Sequence, residues 1–124
     1  MATVSLDLNE MPYKVAADLV AGDTFPFPVQ LKLNSTAVNL TSCTLALDGT
    51  GPGAAAMTAR EITPTVAADG TFEAGLTSTE TAQWSNGTAR YQVELTAPAA
   101  HAQFSAGIVK TVLEFTLRVT SDLA

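Results

Sequence analysis

The sequence predicts an all-β chain, an antiparallel sandwich of about seven to eight short strands. Three observations predict it. Apolar residues recur at every second position through most of the 124 residues, the period of a strand with one buried face. The runs are separated by residues with a physical reason to bend: Asn34-Ser35, Asp48-Gly49, Gly51-Pro52-Gly53, Asp69-Gly70 and Asn86-Gly87. No long stretch carries the 3.6-residue period of an amphipathic helix.

From the N-terminus, Val4, Leu6 and Leu8 alternate with Ser5 and Asp7 and predict a first short strand. The clearest run lies within residues 22–47. There Phe25, Phe27, Val29, Leu31 and Leu33 alternate with Pro26, Pro28, Gln30 and Lys32. Proline has no N–H to give a ladder. Two prolines two residues apart put both missing donors on one edge, which should be unpaired or covered by another segment. Such prolines protect an edge from aggregation, or they prepare it for docking against a neighbouring subunit. Val38 and Leu40 make a short step, and Cys43, Leu45 and Leu47 face one way while Thr44 and Ala46 face the other.

Residues 48–57, DGTGPGAAAM, are small and flexible and predict a projecting loop. Ile62, Pro64 and Val66 form a weaker strand. Phe72, Ala74 and Leu76 follow the Asp69-Gly70 turn. Ser78 can cap a single helical turn reaching Gln83. Tyr91, Val93 and Leu95 then alternate with Arg90, Gln92, Glu94 and Thr96. Residues 97–106 make a second loop, with Phe104 in it. In the longest and last strand, Val109, Leu113, Phe115, Leu117 and Val119 share a face. The two loops are where partner contacts are most easily placed.

The length suits one domain, organised as an N-terminal strand or arm over residues 1–20 and a sandwich over 21–124. A domain of this size buries roughly two-thirds of its unfolded surface, so neither disulfides nor a structural metal is needed. Cys43 is the only cysteine and shares the apolar phase of Leu45 and Leu47, which makes it a small buried hydrophobe. The net charge is −6, and the basic residues Lys14, Lys32, Arg60, Arg90, Lys110 and Arg118 are scattered singly. Nucleic-acid binding needs clustered cations, so it is not expected. No apolar run approaches the ~20 residues that span a bilayer, and the opening MATVSLDLNE reads as a strand rather than a signal core. A soluble protein with no membrane partner is expected.

Nor does a reaction centre emerge. His101 is the only histidine and has no nearby Cys, Asp or Glu, so it reads as a solvated loop residue. Asp18 and Asp23 are the closest pair of aspartates, and no D-x-D-x-D-G run supplies a calcium loop. Glu73, Glu94 and Glu114 fall on polar strand faces, a poor setting for a glycosidase pair. The sequons at Asn34, Asn39 and Asn86 read as turn residues. Trp84 and Tyr91 flank the Asn86-Gly87 turn; such a Trp can stack on a sugar, or plug one end of the sandwich. The expectation is a non-enzyme with no cofactor and no metal.

Two stretches carry a resemblance. The first runs from Gly22-Asp23-Thr24-Phe25 through Leu31-Lys32-Leu33 to Val38-Asn39-Leu40-Thr41 and Thr44-Leu45. The second is Asp69-Gly70-Thr71-Phe72, Leu76-Thr77, Glu80-Thr81 and Gly87-Thr88-Ala89-Arg90-Tyr91-Gln92-Val93. Together they resemble the immunoglobulin-like modules of tailed-phage particles, of which the baseplate upper protein N-terminal domain is the best-known type. Those modules read G-D-T-x-P, then x-V-D-L-T-G-A-T-V, then G-x-Y-x-V-E-L. The likeness runs from about residue 20 to the end. Tyr91 also looks like the tyrosine corner of immunoglobulin sandwiches, whose hydroxyl bonds back to upstream backbone. The chain lacks the cysteine pair and central-strand Trp of antibody domains.

The resemblance implies a structural protein of the virion, assembled in the host cytoplasm. It would serve as a tail, baseplate or neck accessory or a capsid decoration subunit. Its partners would be other virion proteins and copies of itself. Baseplate upper proteins continue into coiled-coil or receptor-binding parts. This chain stops at Ala124, which favours a small accessory subunit. The candidate contact residues are Phe25, Pro26, Pro28, Trp84, Tyr91 and Phe104. The alternative is a carbohydrate- or host-cell-surface-binding module using Trp84, Tyr91 and residues 48–57.

Overall fold

The computed structural model describes residues 3–121, so the outermost residues of both predicted segments, 1–2 and 122–124, lie outside it. In chain order the strands are β1 (Val4–Asp7), β2 (Tyr13–Val20), β3 (Pro28–Leu33), β4 (Thr36–Ala37), β5 (Thr44–Thr50), β6 (Met57–Ile62), β7 (Thr71–Glu73), β8 (Gly87–Ala97) and β9 (Ile108–Thr120). One helical turn, α1 (Ser78–Thr81), and two 3-10 turns complete the described residues. The chain is all-β, in two sheets. In one, β3 pairs with β1 in parallel and with β4 and β7 antiparallel. The other runs β2-β9-β8-β5-β6, with only the β2–β9 pair parallel.

The period-two pattern decides which side chains meet between the sheets. Val29, Leu31, Phe72, Ala74 and Leu76 are buried from one side, and Leu45, Leu47, Val93, Leu95, Leu113, Phe115 and Leu117 from the other. Val38 and Leu40 are likewise buried, as the short step predicts. The Asn34-Ser35 turn joins β3 to β4, both residues at positive φ (53° and 68°). That is the two-residue hairpin geometry that Asn favours.

The prolines fall as their spacing requires. Phe25 and Leu76 exchange backbone bonds of 2.9 and 2.8 Å, and Ala74 N donates to Phe27 O at 2.9 Å. These residues face β7, so Pro26 and Pro28 face the opposite edge. On that edge β1 pairs with β3 only from Val29 onward.

Several expectations are corrected. Within residues 1–20 there are two strands, not one. β2 went unforeseen because Ala16 and Ala17 blur the alternation of Val15, Ala17 and Leu19. Asp48-Gly49 is not a turn but part of β5. A Cβ on Gly49 would lie 2.3 Å from the Tyr91 Cβ, so this glycine permits close approach of β5 to β8. The loop after it does not project. Pro52 O accepts from Ser85 N at 2.8 Å, and a Cβ on Gly51 would strike the Trp84 indole at 1.9 Å.

The weak strand lies earlier than predicted, at Met57–Ile62, and Val66 is 47% exposed. Val109 does not share the face of Leu113, being 66% exposed. A bulge shifts the register between Val93↔Leu113 and Glu94↔Thr111, so Val112 turns inward and Val109 outward. The helical turn is capped by Thr77, not Ser78. The Thr77 hydroxyl accepts from Glu80 N, and the Glu80 carboxylate accepts from Thr77 N.

Candidate interaction surfaces

The candidate contact residues divide between core and surface. Trp84 and Tyr91 belong to the core, at 5% and 4% exposure. The indole is roofed by Gly51, so Trp84 plugs an end of the barrel of side chains rather than offering a stacking face. The Tyr91 ring stacks on Phe115 with centroids 4.3 Å apart and planes 9° from parallel. Phe27 and Phe25 meet the same Phe115 edge-on, at 5.1 and 6.0 Å. These four rings tie the two sheets together.

The tyrosine corner is not made. The buried Tyr91 hydroxyl has no hydrogen-bond partner among the described residues. Burial pushes this phenol far above its ordinary range, with smaller opposing and reinforcing effects from Arg60, Glu80 and Glu73.

Arg60 and Glu73 border a groove of about 330 Å³ whose lining also includes Phe25, Pro26 and Thr77. Arg60 closes one wall, with Nε and Nη2 donating to the two Glu80 carboxylate oxygens at 2.9 and 2.7 Å. Its Nη2 also donates to Gly75 O at 3.1 Å. Partial burial raises the Glu80 carboxyl, but the Arg60 bonds and the Thr77 amide outweigh it and hold the group below its usual range. Glu73 spends one carboxylate oxygen on two backbone amides, Phe27 N and Gly75 N. Both carboxylates are thus committed to holding the chain together. Phe25 is half-buried, Pro26 exposed and Pro28 half-buried.

Phe104 is also half-buried, in the loop that joins β8 to β9. His101 is not simply solvated. Its Nδ1 accepts from Gln103 N at 3.0 Å and its Nε2 lies 2.7 Å from Asn39 O, so the ring is the Nε2–H tautomer that donates there. Gln103 reaches Asn39 N and Ala37 O at 2.9 and 3.1 Å. Backbone clamps of this kind pin the loop to the segment after β4. Cys43 is half-buried rather than fully buried, and burial raises its thiol, which disfavours the thiolate. Among the described residues no three His, Cys, Asp or Glu side chains converge as metal ligands.

What the fold defines is an all-β, two-sheet domain in which Arg60, Glu73, Glu80, His101 and Gln103 are spent on capping the helical turn and clamping the backbone. No protein-family model matches the chain, and no curated protein matches it in sequence. Among solved structures, the N-terminal domain of phage TP901-1 ORF48 matches with a TM-score of 0.56. The match covers 95% of this chain and 96% of that one at 13% identity. At that identity the likeness is one of fold. The resemblance to phage modules read from residues 22–45 and 69–93 thus has a counterpart in three dimensions.

Proposed function

We propose that this chain is a structural subunit of a phage particle, a tail, baseplate or neck accessory or a capsid decoration protein. It works by protein–protein contact with other virion proteins and with copies of itself, and it catalyses no reaction. The observation that carries this reading is the end-to-end fold match to a phage protein domain, across nearly the whole of both chains.

The finer expectation, an immunoglobulin-like topology, belongs to the same proposal. Support comes from the strand neighbours: β9-β8-β5 follow one another as G, F and C do, and β3 pairs antiparallel with β7 as B does with E. Carboxylates committed to structural bonds favour the non-enzyme reading. The carbohydrate alternative loses its two aromatic platforms, since Trp84 and Tyr91 are buried.

Mass spectrometry of purified particles tests the proposal. The chain should be recovered at a fixed stoichiometry with known particle proteins, and its absence from intact particles would refute the reading.

A further inference from the structure

We propose that the free edge of β2 is a self-association site. It pairs antiparallel with β2 of a second copy about a two-fold axis at Ala16, making one continuous sheet from two five-stranded ones. This rests on the assembly reading above and names the surface that would perform it.

The edges of the two sheets are unequal. β1, β4 and β7 have four, two and three residues. β6 has six residues and is bulged at Ala59, which sits at φ 49° and donates its N–H to the Asp48 side chain, and Arg60 beside it is held by Glu80. Among the described residues β2 alone offers an edge of eight unbroken residues. An open edge of that length is a template for another strand.

The backbone fixes which groups face outward. Ala21 N donates to Thr120 O at 2.9 Å, continuing the parallel register in which Val15, Ala17 and Leu19 turn their backbone to β9. Lys14, Ala16 and Asp18 therefore turn N–H and C=O to the open side, and all three are exposed. Val20 C=O is used by Asp23 N, which ends the open run.

Charge then selects the register. An axis at Lys14 sets lysine against lysine, and one at Asp18 sets aspartate against aspartate. An axis at Ala16 sets each Lys14 opposite Asp18 of the second copy. Those residues are also the ones able to exchange both N–H···O bonds of an antiparallel pair. In the same register Tyr13 lies opposite Leu19 of the second copy on the inner face, where Tyr13 is 43% exposed in the single chain.

Sedimentation equilibrium of the full chain tests this. The wild type should show a concentration-dependent dimer. K14D and D18K should each weaken it about tenfold or more, because each replaces two attractions by repulsions. Mixing the two variants should restore a dimer, since their charges are complementary in this register. A16P should abolish pairing while keeping the melting temperature, as proline is tolerated on an open edge. A wild type that stays monomeric overturns the proposal, as does a dimer indifferent to K14D and D18K. Either failure leaves detection of the chain in purified particles untouched, so the edge and the assembly reading fail separately.

Discussion

Replacing Tyr91 with phenylalanine deletes one oxygen atom that is buried and unbonded among the described residues. The ring remains, and with it the 4.3 Å stack on Phe115. A buried hydroxyl without a partner costs about 1–3 kcal/mol relative to one left in water. Y91F should therefore stabilise the protein by about 1 kcal/mol, the lower end because the neighbours relax. For a chain of 124 residues that corresponds to about 4 °C in Tm. Urea unfolding followed by the fluorescence of Trp84, buried at 5% exposure, reads the change directly.

A second, independent signature comes from pH. The phenol is raised by burial in the folded chain, whereas in the unfolded chain it ionises near 10. Above that pH the unfolded state binds fewer protons than the folded one, so stability is lost as pH rises through 10 and beyond. In Y91F this part of the alkaline loss should vanish. The refuting result is a Y91F protein less stable by 1 kcal/mol or more at pH 7. A tyrosine corner, with its hydroxyl bonded to backbone, predicts that loss.

L31A and F27A should each cost about 3 kcal/mol in thermal melts, since both side chains are almost fully buried; near-neutral values would overturn the strand phase. G49A should cost about 3 kcal/mol, because its Cβ would stand 2.3 Å from the Tyr91 Cβ and 2.4 Å from Arg90 O in a paired strand; an unchanged urea midpoint would contradict the close approach. T77A should lose about 1 kcal/mol with the capping box of α1, read by the same unfolding curves. The Glu80 carboxyl is held low in the folded chain, so its contribution is present above about pH 4.5 and lost as pH falls below it. Because the ion pair is only partly shielded from solvent, that contribution is about 1 kcal/mol or less, and E80Q should flatten the acid limb by that amount.

Much of the fold was legible because strand period and turn chemistry are local. Phe72, Ala74 and Leu76, Tyr91, Val93 and Leu95, and the Asn34-Ser35 hairpin are all where the pattern puts them. What escaped was non-local. Gly49 carries the same dipeptide as a turn, yet its role is set by a side chain 42 positions away, Tyr91. Val109 is apolar and in phase, and only the pairing slip between β8 and β9 turns it outward. Ile62 belongs to the weak strand that the pattern predicts, but the strand runs before it rather than after, because Pro64 cannot donate to a ladder. Of the surface candidates, Trp84 and Tyr91 carried aromatic chemistry that suits an interface or a core equally well. Burial decided for the core, and no spacing rule in the sequence separates those outcomes.

The distribution of aromatic residues narrows what kind of contact this domain can make. Interfaces concentrate their energy in buried aromatic anchors. Here Phe27, Phe72, Trp84, Tyr91 and Phe115 are consumed by the core, and Phe25 and Phe104 are half-buried against it. Tyr13 is left as the aromatic side chain with substantial exposure, and it opens β2. The outer face of the larger sheet carries Thr88, Thr116, Thr120 and Ala16 between single charges, so its large exposed aliphatic side chains are the separate Val20 and Val109 rather than an aromatic anchor. Backbone pairing needs no such anchor, because its hydrogen bonds are already aligned along an edge. Under the edge-pairing proposal, a domain that spends its rings internally and keeps an eight-residue edge open among the described residues would offer a second copy its backbone rather than an aromatic anchor.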